Sequence, residues 1–421
     1  MSETKEWFVG IDWATEEHAV CLTDDQGEVL GERTFPHSGA GLAELCTWLL
    51  AKTKAHPSAI HVGIEVPHGP VVETLLERGL VVYAINPKQL DRFRDRFTAA
   101  GAKDDRRDAR VLADSLRTDR RSYRLLQIAD PLVIEVREWT RILEEIKEEH
   151  VRLTNRLRQQ LLRYFPQMMK VDDDLGSAFF LSLWSAVPTP EHAAATSKKL
   201  ISDVLSENGI RRWKADDLLA LLREKPLTVA PGTVAAATAH IAALAEQLRL
   251  LNKQRREAHH QLDRLIAKLA EQEQEAEQGQ KCEQRVVAIL GSLPGVGRIV
   301  LATLLAEALQ PLKERDYQTL RALCGVAPVT RNSGKRSGSR SVVVMRRACS
   351  FPLREALYHW ARVAAQRDPK SKAAYAALRA RGHSHGRAIR TIGDRLLQLA
   401  CAMVRDQTTY DAEHRRGAAT A

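Results

Sequence analysis

Between residues 6 and 85 the apolar positions fall in short runs separated by turn-forming residues. Trp7 to Ile11 reads as a strand, Ala19 to Leu22 as a second, and Val29 to Phe35 as a third after the turn sequence Asp24-Asp25-Gln26-Gly27. Gly41 to Thr53 places Leu42, Leu45, Leu49 and Leu50 on one helical face. Ile60 to Ile64 is a fourth strand, Val71 to Leu76 a second helix, and Leu80 to Ile85 a fifth strand. This order predicts an α/β domain over residues 1–128, built on a mixed sheet with covered faces.

From Pro131 the period changes. Val136, Trp139, Leu143, Ile146, His150, Leu153, Leu157 and Leu161 recur at near-heptad spacing, and Ile241, Leu244, Leu248, Leu251, Arg255, Ala258, Leu262, Leu265 and Leu269 alternate steps of three and four. Two long helices of this pattern predict a coiled-coil stalk over residues 129–281, with a helical insertion at about 170–230. The two helices can pair with each other, with a second subunit, or both; a dimerising stalk is the expected arrangement. Residues 282–405 read as an all-α domain, interrupted by a Gly/Ser/Arg-rich loop from Arg331 to Ser341, and residues 406–421 as a polar tail.

Charge narrows the class of partner. Lys and Arg number 63 against 53 Asp and Glu, a formal charge of +10, which suits a polyanion. No apolar run approaches the roughly 18–20 residues needed to span a bilayer, and the N-terminus lacks a signal layout. A cytoplasmic protein in contact with the nucleoid, without a membrane partner, is expected. Cys21, Cys46, Cys282, Cys324, Cys349 and Cys401 are scattered and never spaced as Cys-x-x-Cys, so neither a disulfide framework nor a zinc site is predicted.

Within this basic chain four carboxylates stand out. Asp12 ends the first strand in Gly10-Ile11-Asp12, and Glu65 ends the fourth in Gly63-Ile64-Glu65. Asp105 and Asp108 stand three apart, so helical spacing puts both on one face. Carboxylates at neighbouring strand ends, facing a helix with two more, repel one another unless divalent cations sit between them. Hard oxygen donors favour Mg²⁺ or Mn²⁺, and two such ions can serve phosphoryl transfer. Taken singly, each acid reads equally well as a turn residue or a solvated helix face.

Further on, Leu293-Pro294-Gly295-Val296-Gly297 is a tight turn opening a helix, an arrangement that can offer N–H groups to phosphate. Then come Cys324-Gly325-Val326-Ala327-Pro328 and a cationic loop holding Arg331, Ser333, Lys335, Arg336, Ser337, Ser339 and Arg340. Residues 331–350 carry six Lys or Arg and no acid. By composition this loop binds phosphates through its arginines and serine hydroxyls. Residues 88–124, which include Arg106 and Arg107, hold twelve Lys or Arg against seven Asp, and residues 379–395 add a further basic helix. His383 and His385 read as a polar loop rather than a metal pair.

The Gly-Ile-Asp strand, the strand-end Glu65 and the Lys103-Asp104-Asp105-Arg106-Arg107-Asp108-Ala109 helix resemble the RuvC-like, DEDD-type domain of the insertion-sequence one-hundred-ten family of transposases and the Piv-type invertases. The run from Pro294-Gly295 through Ser333-Gly334 to Leu353-Arg354-Glu355 is similar to that family's C-terminal transposase domain. The chain departs from the family at Asp104, where Thr or Ser is usual, and at Val344 to Ala348. The resemblance implies a ribonuclease-H-type fold whose metal-binding acids are Asp12, Glu65, Asp105 and Asp108. It also implies a serine at position 333 that attacks DNA and forms a phosphoserine, with Ser337 and Ser339 as fallbacks. Arg331, Lys335, Arg336 and Arg340 would position phosphates. Donor and target DNA, a noncoding bridge RNA and a homo-oligomer, dimer or tetramer, are the implied partners. The alternative is a ribonuclease-H-type nuclease or junction resolvase that uses metal-activated water.

Overall fold

A computed structural model describes residues 5–86, 90, 93, 104–127, 130–279, 285–331, 342–345 and 348–411. The chain divides into two compact units, Met1–Asp130 and Pro131–Ala421.

The first unit is built on a six-stranded sheet in the order β3-β2-β1-β4-β5-β6. Its strands are β1 (Trp7–Asp12), β2 (Glu17–Thr23), β3 (Val29–Pro36), β4 (Ile60–Ile64), β5 (Val81–Ala84) and β6 (Arg124–Leu125). β1, β4 and β5 run parallel, while β2, β3 and β6 pair antiparallel with their neighbours. The β2–β3 turn is closed locally: Gln26 and Glu28 N–H donate to Asp24 Oδ1 at 3.0 and 2.9 Å. Helix α1 (Gly39–Thr53) starts where Ser38 accepts from Gly41 N–H, and α2 (Pro70–Glu77) leads into β5. Together they cover one sheet face, where Leu45, Leu49 and Leu75 pack on Val9, Ile11, Val62 and Ile64. Each such side chain withdrawn from water contributes about 1.5–3 kcal/mol. Helix α3 (Asp105–Asp119) covers the opposite face through Ala109, Val111, Leu112 and Leu116. The predicted strand and helix order is therefore observed. The edge strand β6 is an addition, too short to leave a periodic signal.

In the second unit the two long helices are α4 (Pro131–Tyr164) and α9 (Pro231–Gly279). They pair antiparallel within the chain. Leu153, Leu157 and Leu161 share a core with Ile241, Leu244 and Leu248, while Val133 and Val136 share another with Leu262, Leu265 and Leu269. Four short helices fill the insertion, α5 (Ala178–Ala186), α6 (Pro190–Ala195), α7 (Lys198–Glu207) and α8 (Ala215–Leu222). The stalk anticipated from the heptads is thus an intramolecular helix pair whose two ends enter separate cores. One core belongs to the insertion. The other includes the C-terminal helices α10 (Val286–Ser292), α11 (Arg298–Lys313), α12 (Tyr317–Leu323), α13 (Phe351–Arg367), α14 (Pro369–Ala380) and α15 (His385–Asp406).

The all-α expectation for this region needs one correction. Strands β7 (Pro328–Arg331) and β8 (Val342–Met345) pair antiparallel, Val329 opposite Val344 and Arg331 opposite Val342. The β-branched residues on either side of the cationic segment favour a pleated ladder. Among the described residues, no helix is long and apolar enough to cross a membrane, and the five described cysteines are free.

Candidate active site

Register sets the geometry of the acidic site. Across the parallel β1–β4 pair Gly10 stands opposite Gly63 and Ile11 opposite Ile64, so Asp12 and Glu65 come next at adjacent strand ends. Side chains alternate along a strand. Ile11 and Ile64 therefore enter the core under α1 and α2, and Asp12 and Glu65 belong to the face that α3 covers. Both are half-buried.

The two glycines admit α3 to that face. A Cβ on Gly10 would stand 1.9 Å from the Ala109 carbonyl oxygen and 2.6 Å from Ala113 N, and one on Gly63 would meet Ile85 Cδ1 at 2.7 Å and Leu112 O at 3.4 Å. At the far end of α3, Arg120 Nη1 donates to Glu6 Oε1 at 2.8 Å and lies 3.1 Å from His61 Nε2. Glu6 and His61 precede Gly10 and Gly63 on their strands, so α3 runs opposite to β1 and β4. Its N-terminus consequently lies at the strand ends that carry Asp12 and Glu65. Asp108, next to the Ala109 contact, is 3% exposed; Asp105, on the first turn, is exposed, as are Arg106 and Arg107. Asp104 is the N-cap and accepts from Arg106 N–H at 3.3 Å. That role assigns Asp104 to helix initiation and leaves Asp105 and Asp108 as the acids within the helix.

The donor set, carboxylate oxygens alone, fits a hard divalent cation. Among the described residues, however, no group of three or more His, Cys, Asp or Glu is arranged to hold a metal ion. The fold brings Asp12, Glu65 and Asp108 to one edge of the sheet without closing a ligand set around one point. On the other side of Asp12, His18 Nε2 lies 2.9 Å from His37 Nδ1, and Trp13 stacks on His18. Burial, then the nearby His37, holds the His18 imidazole below its ordinary value.

The Glu6–His61–Arg120 cluster has no signature in the sequence because its members are far apart in the chain. Burial raises the Glu6 carboxyl, but the hydrogen bond and charge of Arg120 hold it below the ordinary carboxylate range. His61 is lowered by burial and then by Arg120. For the glycine contacts, the repeated Gly-Ile-acid strand end is the signal that the sequence carries.

In the second unit, Ser333, Lys335, Arg336 and Arg340, with the fallbacks Ser337 and Ser339, lie outside the described residues. They belong to the connection between β7 and β8, and Arg331 closes β7. The preceding Gly325 has φ +68 and ends α12, while Val326 and Ala327 N–H both donate to the Arg321 carbonyl at 3.0 and 3.1 Å. The Pro294-Gly295 turn is packed rather than open. Gly295 has φ +86, a Cβ there would meet Ala364 N at 2.8 Å, and Trp360 Nε1 donates to Pro294 O at 3.0 Å. Asp394 ties α15 to α12, accepting from Arg321 Nε and Nη2 at 2.8 and 3.0 Å and from the Tyr317 hydroxyl at 2.8 Å. His385 Nδ1 is 2.8 Å from the Tyr375 hydroxyl, which accounts for it without a metal.

A DEDD transposase family model matches residues 9–166, and the model of the transposase IS116/IS110/IS902 family matches residues 287–376. A putative transposase of Sinorhizobium fredii is 55% identical over 216 residues, 51% of this chain and 60% of that protein. The alignment thus spans less than two thirds of that relative. The mini-circle putative transposase for IS117 of Streptomyces coelicolor is 28% identical over 93% of this chain and 92% of its own length. An uncharacterized protein of insertion element IS116 from Streptomyces clavuligerus is 26% identical over 96% of each chain. Both matching family models are of IS110-type transposases, and together they take in residues 9–166 and 287–376 of this chain.

Proposed function

We propose that this protein cuts and rejoins the DNA of an insertion sequence through a phosphoserine on Ser333, with Asp12, Glu65, Asp105 and Asp108 as the acids that hold Mg²⁺ or Mn²⁺. The observation that carries the reading is the paired register of Gly10-Ile11-Asp12 and Gly63-Ile64-Glu65 under an oppositely directed α3. It gathers carboxylates from three separate chain segments at one sheet edge. A divalent ion there would supply charge stabilisation to a phosphoryl group in transit. The acids orient around that centre, and the exposed Arg106 and Arg107, with Arg331, Lys335, Arg336 and Arg340, neutralise the flanking phosphates. The Ser333 hydroxyl needs help in losing its proton as it attacks phosphorus and the strand's leaving oxygen departs. Targeting of donor and target DNA by a bridge RNA, and assembly as a dimer or tetramer, rest on the resemblance to the IS110 family.

Incubation with the element's own end sequences and Mg²⁺, followed by a denaturing gel, tests the scheme. A covalent protein–DNA adduct is expected from the natural chain and is lost in Ser333→Ala. Cleavage without an adduct, persisting in Ser333→Ala and lost in Asp12→Asn, would instead establish a nuclease using water.

A further inference from the structure

The N-terminal ends of α13 and α15 carry an arrangement that the folded chain alone does not explain. Gly393 of α15 packs on Leu357 of α13, a Cβ there standing 3.0 Å from Leu357 Cγ. One turn nearer the N-terminus of each helix are Arg390 and Arg354, with Arg387 a further turn along α15. Arg390 is half-buried, and its Nη1 lies 3.3 Å from where a Cβ on Gly386 would stand, so the guanidinium is folded back over the first turn of its own helix. Burial, then the charges of Arg354 and Arg387, hold Arg390 below its ordinary value.

Three cations are thus gathered at the ends of two helices, where the helix dipole already presents positive charge. Among the described residues none of the three forms an ion pair. Nearby acids are engaged elsewhere: Asp394 by Arg321 and Tyr317, Glu355 by Lys147. Gathering like charges at the wrong end of a dipole costs stability, and an anion seated among them reverses the sign. The nature of the anion follows from a neighbour. Phe351, on the same face of α13 as Arg354 at i,i+3 spacing, is 72% exposed. An exposed ring beside a guanidinium cluster suits a nucleotide, whose base can stack while its phosphates are gripped.

We propose that Arg354, Arg387 and Arg390, with Phe351, form a binding site for the phosphodiester backbone of a nucleic-acid strand. The site needs no covalent chemistry at Ser333 and shares with the proposed function only that the chain binds nucleic acid.

The test uses the full chain and fluorescence anisotropy against labelled random-sequence duplex DNA, single-stranded DNA and single-stranded RNA over a range of salt. Every phosphate that is no longer neutralised lowers the slope of log K on log salt by about 0.9 for duplex and about 0.7 for single strands. The triple variant R354Q/R387Q/R390Q should lose about 2–3 units of slope on the probe the site binds, while the triple Arg→Lys variant keeps most of it. Which probe responds identifies the strand. Phe351→Ala should weaken single-stranded binding several-fold without changing the slope. The thermal midpoint of the triple Gln variant should hold or rise, because repulsion has been removed. Should that variant fold poorly, the exposed Arg387→Gln alone still predicts about one unit of slope. Unchanged slopes on all three probes would overturn the proposal. Adduct formation scored in parallel keeps its failure separate from that of the Ser333 reading.

Discussion

Replacing Gly10 with Ala probes the contact that seats α3 on the sheet. The new methyl would lie 1.9 Å from the Ala109 carbonyl oxygen, 2.6 Å from Ala113 N and 2.8 Å from Leu112 Cβ. Two of these three neighbours are backbone, so no side chain can rotate away and the helix must retreat by on the order of 1 Å. Overpacking of this kind costs typically about 1–3 kcal/mol, and the backbone clash places Gly10→Ala at or above the upper end. Gly63→Ala is the matched control, because its nearest obstacle is the terminal methyl of Ile85 at 2.7 Å. A rotamer change there costs about 0.5–1.5 kcal/mol, partly offset by about 0.4–1 kcal/mol from the stiffer unfolded chain. At roughly 3–5 °C per kcal/mol for a unit of this size, calorimetry on the full chain should show the first unit melting about 10 °C lower in Gly10→Ala and within a few degrees of the natural chain in Gly63→Ala. A displacement of about 1 Å at a reacting centre costs on the order of 10²-fold in rate, so under the proposed function strand cleavage should fall by that factor in Gly10→Ala when assayed below the shifted midpoint. Equal melting of the two variants, or an undisturbed Gly10→Ala, would refute the close approach of α3 and with it the delivery of Asp108 to the strand ends.

Three further outcomes can be checked. Acidification should destabilise the first unit in two steps, because His61 and Glu6 are both held below their ordinary values. For each, the unfolded chain binds more protons; the His61 share is complete above pH 6.5 and lost as pH falls below it, and the Glu6 share is lost below about 4.5. Urea melts at stepped pH should show the first step shrink in His61→Gln, the remainder belonging to His18, and the second vanish in Glu6→Gln. Asp394→Ala leaves Arg321 and Tyr317 without their acceptor in a half-buried site and should cost about 1–3 kcal/mol, measurable as a shift in the urea midpoint of the second unit, with Tyr317→Phe costing about 1 kcal/mol or less. Gly295→Ala meets both a φ of +86 and the α13 backbone, whereas Gly297 has nothing within 4 Å; the first should lose about 2 kcal/mol or more by thermal melting, and Gly297→Ala should melt close to the natural chain.

Period and spacing alone determined a good deal of this molecule. The strands and helices of the first unit fall where the apolar runs place them, since alternation and turn chemistry act over a few residues. The buried stripe of α4 and α9 likewise follows the heptads: Val136, Leu153, Leu157, Leu161, Leu244, Leu248, Leu262 and Leu265 are all buried. The same spacing was silent on what those stripes face, because an apolar seam is satisfied equally by its own chain or by another. Only the tertiary structure decided that α4 and α9 pair with each other. It likewise decided that Gly10 and Gly63 are register partners, that α3 runs against them to bring a buried Asp108 to the strand ends, and that Glu6, His61 and Arg120 meet at the other end. Nor do β7 and β8 declare themselves as a ladder until they are paired, because four residues carry too little periodicity to signal a strand. Contacts between distant segments arise from register and packing, which no local pattern encodes, and it is there that the acids of this chain acquire a common edge.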